Sequence, residues 1–234
     1  MKTNLLLELI FPRRCAVCDT ILPWGQKELC DGCKMKIQYC TGPLCFKCGK
    51  SVKEEEEYCY DCRNKIHHFK QGAALFPYEY IRHSLYRFKY SGRTEYAYFY
   101  GRHMAWRMEE KRRVWKPQAL VPVPLYKKKK QKRGYNQAEL IAKELSKWWK
   151  LPVITDLVVR TKNTRPMKEI IGTDRQNNLK KAFKLGTNDV ELNTIIIIDD
   201  IYTTGSTIDA VSKVCYEAGI TNIYFLTVSI GYGL

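Results

Sequence analysis

No stretch of this 234-residue chain approaches the ~18 consecutive apolar residues that a membrane-spanning helix needs. Neither G-x-G-x-x-G nor a Walker A sequence occurs, which leaves the dinucleotide and P-loop routes to phosphate without their signatures. The opening MKTNLLLELIFPRR has a short apolar run, but Glu8 breaks it, Pro12-Arg13-Arg14 follow, and no small-residue cleavage site comes after. It reads as an amphipathic first helix rather than an export signal, and a cytoplasmic location is expected. Acids are in short supply: 24 Asp and Glu stand against 40 Lys and Arg, a formal net charge of +16. That balance favours polyanionic partners such as nucleic acid, phosphorylated substrates or an anionic membrane. Low hydrophobicity is not among the deficits; at 45% hydrophobic and 12% aromatic residues, a packed core is expected rather than disorder.

Cysteine is abundant but confined. Ten are present, and all but Cys215 lie within the first 62 residues. Their spacing is Cys15-x2-Cys18-x11-Cys30-x2-Cys33, then Cys45-x2-Cys48-x10-Cys59-x2-Cys62. A C-x-x-C knuckle sets two thiolates on one side of a tight turn, and two knuckles close a tetrahedron of soft ligands that suits zinc. In a reducing compartment such cysteines serve metals rather than disulfides. Sequence order suggests one site from Cys15, Cys18, Cys30 and Cys33 and a second from Cys45, Cys48, Cys59 and Cys62; a crossed pairing of alternate knuckles satisfies the same spacing. Gly32 and Gly49 sit where knuckle turns call for glycine. Cys40 is a spare ligand or simply buried, Cys215 fits a helical core position, and His67 and His68 read as linker residues. With all ligands supplied by protein, no open catalytic position is implied. Two structural zinc ions in a module over residues 1–68 are expected.

From about residue 70 strands and helices alternate. Strands are predicted at 73–78, 119–125, 152–159 and 223–229, and helices at 79–90, 94–113, 174–181 and over the amphipathic stretch with Ala138, Ile141, Ala142 and Leu145 on one face. Alternation of this kind means a parallel α/β sheet. A basic run, Lys127, Lys128, Lys129 and Lys130 continued by Lys132 and Arg133, follows a strand end, the edge at which open sheets bind ligands. It is a solvated charged loop, a hold on a pyrophosphate, or a grip on a nucleic-acid backbone. Tyr86, Phe88, Tyr90, Tyr96, Tyr98, Phe99 and Tyr100 interleave with Arg87, Lys89 and Arg93; they pack in a core or stack bases of single strands, on different faces. The polar, basic stretch 160–180 is a candidate lid.

The most informative stretch is 195–208, IIIIDDIYTTGSTI. Four Ile describe a buried parallel strand, two acids its carboxyl end, and the small Thr/Gly/Ser residues a tight turn into a helix near Thr207. Backbone N–H groups of such a turn can close around an anion, aided by the positive end of the helix. The adjacent carboxylates cannot bind phosphate, but can accept from hydroxyls or face a divalent cation. The combination suits a phosphorylated sugar.

Residues 196–207 resemble the phosphoribosyl pyrophosphate (PRPP) motif of type I phosphoribosyltransferases. The resemblance implies that Asp199 and Asp200 hold ribose hydroxyls and supply any catalytic carboxylate. It further implies that Thr203, Thr204, Gly205, Ser206 and Thr207 wrap the 5′-phosphate, and that magnesium arrives with the pyrophosphate, to which Lys127 and Arg133 are expected to contribute. The fold expected for residues 69–234 is therefore α/β, a phosphoribosyltransferase-like parallel sheet flanked by helices, preceded by the Cys-rich zinc-ribbon module.

The order of several segments extends the likeness. LLLELIFPRRCAVC, the four knuckles, RFKYSGR at 87–93, VPVPL at 121–125, RGYNQAELIA at 133–142, RQNNLKKAF at 175–183 and IIIDDIYTTGST together resemble the ComF family of ComFC-type competence proteins, nearly end to end. One departure is visible: where that family carries T-x-x-Q, Thr164 is followed by Met167. The resemblance implies a role in natural transformation, with single-stranded DNA and a DEAD-box-like DNA translocase as partners. Phosphoribosyl transfer from PRPP, a single-stranded-DNA-binding adaptor without turnover, and a PRPP-sensing regulator are all compatible with it.

Overall fold

In a computed structural model of the chain, residues 12–162, 182–186 and 191–231 are described. The expected first helix up to residue 11, most of the 160–180 stretch with Thr164 and Met167, and the helix expected at 174–181 fall outside them. Among the described residues no helix is long and apolar enough to cross a membrane.

Four strands form a parallel sheet in the order β1-β6-β5-β2: β1 (Gln71–Pro77), β2 (Ala119–Pro122), β5 (Thr194–Tyr202) and β6 (Asn222–Ile230). Central β5 is buried on both faces, which is why it is a run of β-branched residues rather than an alternation. Ile196 and Ile198 face one core cluster with β1's Leu75 and β6's Leu226. Ile195 and Ile197 face the other with Ala74 and Phe225. All four isoleucines have 0% exposure, and each burial of this kind contributes roughly 1.5–3 kcal/mol.

On the first face lie α3 (Tyr78–Tyr90), α4 (Tyr96–Arg107) and α7 (Gln137–Trp149), through Ile81, Leu85, Phe99, Tyr100, Ile141 and Leu145. The Asn136 side chain starts α7 by accepting from Ala138 N at 3.2 Å, and its amide donates to Val123 O at 3.0 Å. On the second face lies α8 (Ser206–Glu217) with Ile208, Val211 and Cys215. A separate antiparallel pair, β3 (Val158–Arg160) and β4 (Phe183–Leu185), packs on that side.

Three expected elements of the α/β part need correction. The helix expected over 94–113 is two, because the chain leaves helical geometry at Met108 (φ −106°) before α5 (Glu109–Trp115). The break lets Trp115 stack on Tyr224 at 4.5 Å and donate to Gln71 Oε1 at 3.0 Å. The strand expected at 152–159 reduces to one bridge, Val153 to Leu120, before β3 begins at Val158. The basic run is a helix, α6 (Lys127–Arg133), not a loop; Gly134 ends it in the left-handed region.

The Cys-rich module is a repeat of one unit. Antiparallel bridges Arg14–Ile21 and Leu44–Ser51 flank the two first knuckles, and short helices α1 (Asp31–Met35) and α2 (Tyr60–Asn64) carry the last ligands. Gly49 follows its knuckle with φ +80°, and its N–H donates to Cys45 O. In the first unit that left-handed place belongs to Asp19 (φ 68°), whose N–H donates to Cys15 O. Gly32 instead lies inside α1, so the knuckle role expected for it falls to Asp19.

The module straddles the sheet's edge. Cys15, Ala16, Leu22 and Leu29 join the first-face core, and Cys45, Cys48 and Cys59 the second. Cys40 N donates to Leu75 O and Gly72 N to Lys47 O along β1.

Candidate functional site

Two four-cysteine clusters are present, and they follow sequence order rather than a crossed pairing: Cys15, Cys18, Cys30 and Cys33, then Cys45, Cys48, Cys59 and Cys62, with the sulfurs of each cluster within 4.8 Å of one another. Cys18 and Cys30 Sγ are 3.7 Å apart, as are Cys48 and Cys59 Sγ. A tetrahedron of thiolates at ~2.3 Å from zinc has edges of about 3.8 Å. The ten cysteines are free thiols, so the clusters are ligand sets rather than disulfides. With four soft donors each they fit structural zinc and leave no position open. Cys40 lies outside both, its thiol pushed up to about 12 by burial. Cys215 is buried in α8, likewise pushed up to about 12.

The carboxyl end of β5 delivers the acid pair. Asp199 is opposite Thr227 of β6, and its Oδ1 accepts from Asp200 N at 2.8 Å. Burial, then the adjacent Asp200 charge, pushes the Asp199 carboxyl up to about 7. Asp200 Oδ2 pairs with Lys89 Nζ at 2.8 Å, with 13% and 18% of those side chains exposed. Lys89 arrives because α3 starts at the carboxyl end of β1, beside Ile230, and crosses the sheet so that its last turn meets β5.

More positive charge surrounds the pair. Arg160, at the end of β3, has its cation disfavoured by burial and favoured by Asp199. Lys129 on α6 is held below its usual value by burial and then by the nearby Arg160 and Arg133 charges. Lys127, Lys128 and Lys132 are exposed on α6, and Lys130 pairs with Glu139 on α7 at 2.9 Å. The Arg133 guanidinium donates to Gln137 Oε1 and lies 5.2 Å from the Tyr90 ring centre.

Beyond Tyr202 the chain turns into α8. Gly205 is the N-cap at φ 77°, and no side chain caps the helix. A Cβ on Gly205 would meet the Tyr202 hydroxyl at 2.5 Å, so the position needs glycine for both conformation and space. Thr204 Oγ1 and Ser206 Oγ are 2.9 Å apart, and Thr203, Thr204, Ser206 and Thr207 are half-buried rather than covered. The turn therefore offers uncapped N–H groups and hydroxyl-bearing neighbours at a helix N-terminus, a geometry that accepts anions.

The aromatic–basic stretch divides by face. Phe88, Tyr96, Phe99 and Tyr100 are in the core. Tyr86 and Tyr90 are 62% and 64% exposed, with ring centres 5.0 Å apart. Sequence reasoning named Lys89 only as a base among aromatics and Arg160 only as the start of a lid. Their approach to the acids depends on chain crossings that no local pattern encodes. His67, read as linker, is also engaged: its Nδ1–H donates to Asp209 Oδ2 at 2.7 Å, and its side chain is wholly buried.

The double zinc ribbon domain family matches residues 6–63. Competence protein F of Haemophilus influenzae is 30% identical over 219 residues, covering 91% of this chain and 95% of that protein. Competence protein ComFC of Bacillus subtilis is 30% identical over 82% of this chain and 80% of its own length. The DNA utilization protein YhgH of Escherichia coli K12 is 27% identical over 90% and 94%. Among solved structures, an adenine phosphoribosyltransferase superposes over 64% of this chain and 84% of its own, with 14% identity and a TM-score of 0.38, a likeness too loose to argue from.

Proposed function

The chain belongs to the competence protein F (ComF) family, and from that premise we propose that it binds PRPP, with magnesium carried by the pyrophosphate, while acting on incoming single-stranded DNA. The observation that carries the reading is the acid pair Asp199–Asp200 set directly beside an uncapped, glycine-dependent turn, with Lys89 paired to Asp200 and Arg160 near Asp199. Hydroxyl-accepting carboxylates, an anion cradle and unlike charges for a second phosphate group are what a sugar phosphorylated at both ends requires. In phosphoribosyl transfer an acceptor forms a bond to the anomeric carbon as the bond to pyrophosphate breaks, and positioned cations stabilise the departing charge. On this reading Lys89 and Arg160, which lie near the acid pair, do that work. Titration calorimetry of the zinc-loaded protein with PRPP and magnesium tests the reading. Binding that disappears in the Asp199→Asn, Asp200→Asn double variant is expected; wild-type protein that gives no binding heat and no thermal shift refutes it.

A specific observation favours the DNA part. Exposed Tyr86 and Tyr90, with Arg133 beside Tyr90 and the exposed lysines of α6, form a surface where bases can stack and phosphates be neutralised. On this reading, replacing Lys127, Lys128 and Lys132 by Ala lowers the log–log salt slope of oligonucleotide binding by about 2, at ~0.7 per phosphate for single strands. An unchanged slope removes α6 from the contact. The DNA translocase partner is a proposal of the family relationship alone, for which a pull-down from competent cells is the direct test.

A further inference from the structure

The second four-cysteine cluster and the turn at 203–207 are built as one packed unit. Asp209, in the first turn of α8, is held by two residues that follow the last ligand Cys62: His67 donates to Oδ2 at 2.7 Å, and His68 N donates to Oδ1 at 3.4 Å. The His67 ring stacks on Phe69 at 4.7 Å. Phe69 in turn meets the edges of Phe225 at 4.9 Å and Tyr202 at 6.4 Å. Tyr202 lies flat on Phe225 at 4.7 Å and 3°, and its hydroxyl fills the space under Gly205. From the knuckle itself comes Lys50, 5% exposed, bonded to Asp61 at 2.7 Å with its ammonium 5.9 Å from the Tyr202 ring centre. Cys45, Cys48 and Cys59 share a core cluster with Phe69, Tyr202, Ile208 and Phe225. The first cluster belongs to the opposite face.

This packing has an electrostatic consequence. Asp209 carries the only carboxylate in α8's first turn. Released from His67, it could turn towards the same uncapped N–H groups that an anion would use, and its charge would oppose the anion. Held by His67, it is engaged elsewhere. We propose that His67 is a positioning residue that couples the second four-cysteine cluster to the turn at 203–207, keeping Asp209 off the helix N-terminus so that phosphate groups of a ligand can occupy it. This rests on the reading of that turn as a phosphate site.

The experiment uses the full-length, zinc-loaded chain, with zinc content measured for each variant and two probes titrated, PRPP with magnesium and inorganic pyrophosphate. His67→Ala is expected to weaken binding of PRPP about tenfold or more while both zinc ions remain. His67→Asn, whose amide can still donate to Asp209, is expected to restore most of it. Asp209→Asn in the His67→Ala background, which removes the competing charge, is expected to restore it as well. Wild type binding PRPP with His67→Ala unchanged overturns the inference alone. Equal weakening by His67→Ala and His67→Asn, unrelieved by Asp209→Asn, also overturns it, since the loss would then be general to the packing. Should His67→Ala not fold, His67→Asn and Asp209→Asn still decide: a tenfold loss in either refutes the proposed contact. Wild type binding neither probe overturns the phosphate reading and the inference with it.

Discussion

Asp199→Asn is the most revealing single change, because its sign runs against ordinary expectation. The Asp199 carboxyl is raised from 3.8 to about 7 by burial and by Asp200. An acid whose folded value lies above its unfolded one binds its proton more tightly in the folded chain. Ionising it therefore costs stability, beginning as pH rises above the unfolded value and complete above about 7. At ~1.4 kcal/mol per unit the full cost approaches about 4 kcal/mol, of which roughly 2 kcal/mol develops between about pH 5.5 and about pH 8. Asn removes the ionisation and keeps the Oδ1 that accepts from Asp200 N. In urea, with a slope of about 2 kcal/mol per molar, the wild-type midpoint should fall by about 1 M across that pH range. The variant should lose far less and exceed the wild type at the higher pH. Parallel pH profiles for the two proteins would refute the argument, and so would a variant less stable than the wild type at about pH 8.

Three further outcomes follow from the geometry. Gly205→Ala, which forces a side chain into φ 77° and against the Tyr202 hydroxyl, should cost about 1–3 kcal/mol in chemical denaturation. Asn136→Ala, which uncaps α7 and leaves Val123 O without its donor, should cost about 1–2 kcal/mol in the same assay. Plasma mass spectrometry should find two zinc ions per chain, falling to one in Cys48→Ser; a count of two in that variant would contradict the second four-cysteine set.

Legibility in the sequence tracked the range of the interactions. Four Ile followed by two Asp needed only strand chemistry to be read, because everything that defines that strand end lies within a few residues. The knuckle spacing predicted both ligand sets for the same reason, and the structure removed the crossed alternative. Lys89 was hidden because its partner, Asp200, is far along the chain and α3 crosses the sheet instead of running back beside a strand. The basic run misled because like charges discourage a helix, yet Lys130 is offset by Glu139 and Gly134 supplies an end. Met108 broke a helix that local pattern would continue, since Trp115 has a better place against Tyr224. His67 looked like linker because nothing nearby in sequence hinted at Asp209.

The hydrogen bonds from Cys40 to Leu75 and from Gly72 to Lys47 have a consequence for the life of the protein in the cell. β1 ends the sheet, and its GAALF is an uncharged apolar segment. An open strand of that composition is a template for pairing with other chains. The Cys-rich module lies along it as a shield, so zinc starvation should expose that strand and appear as aggregation together with loss of ligand binding.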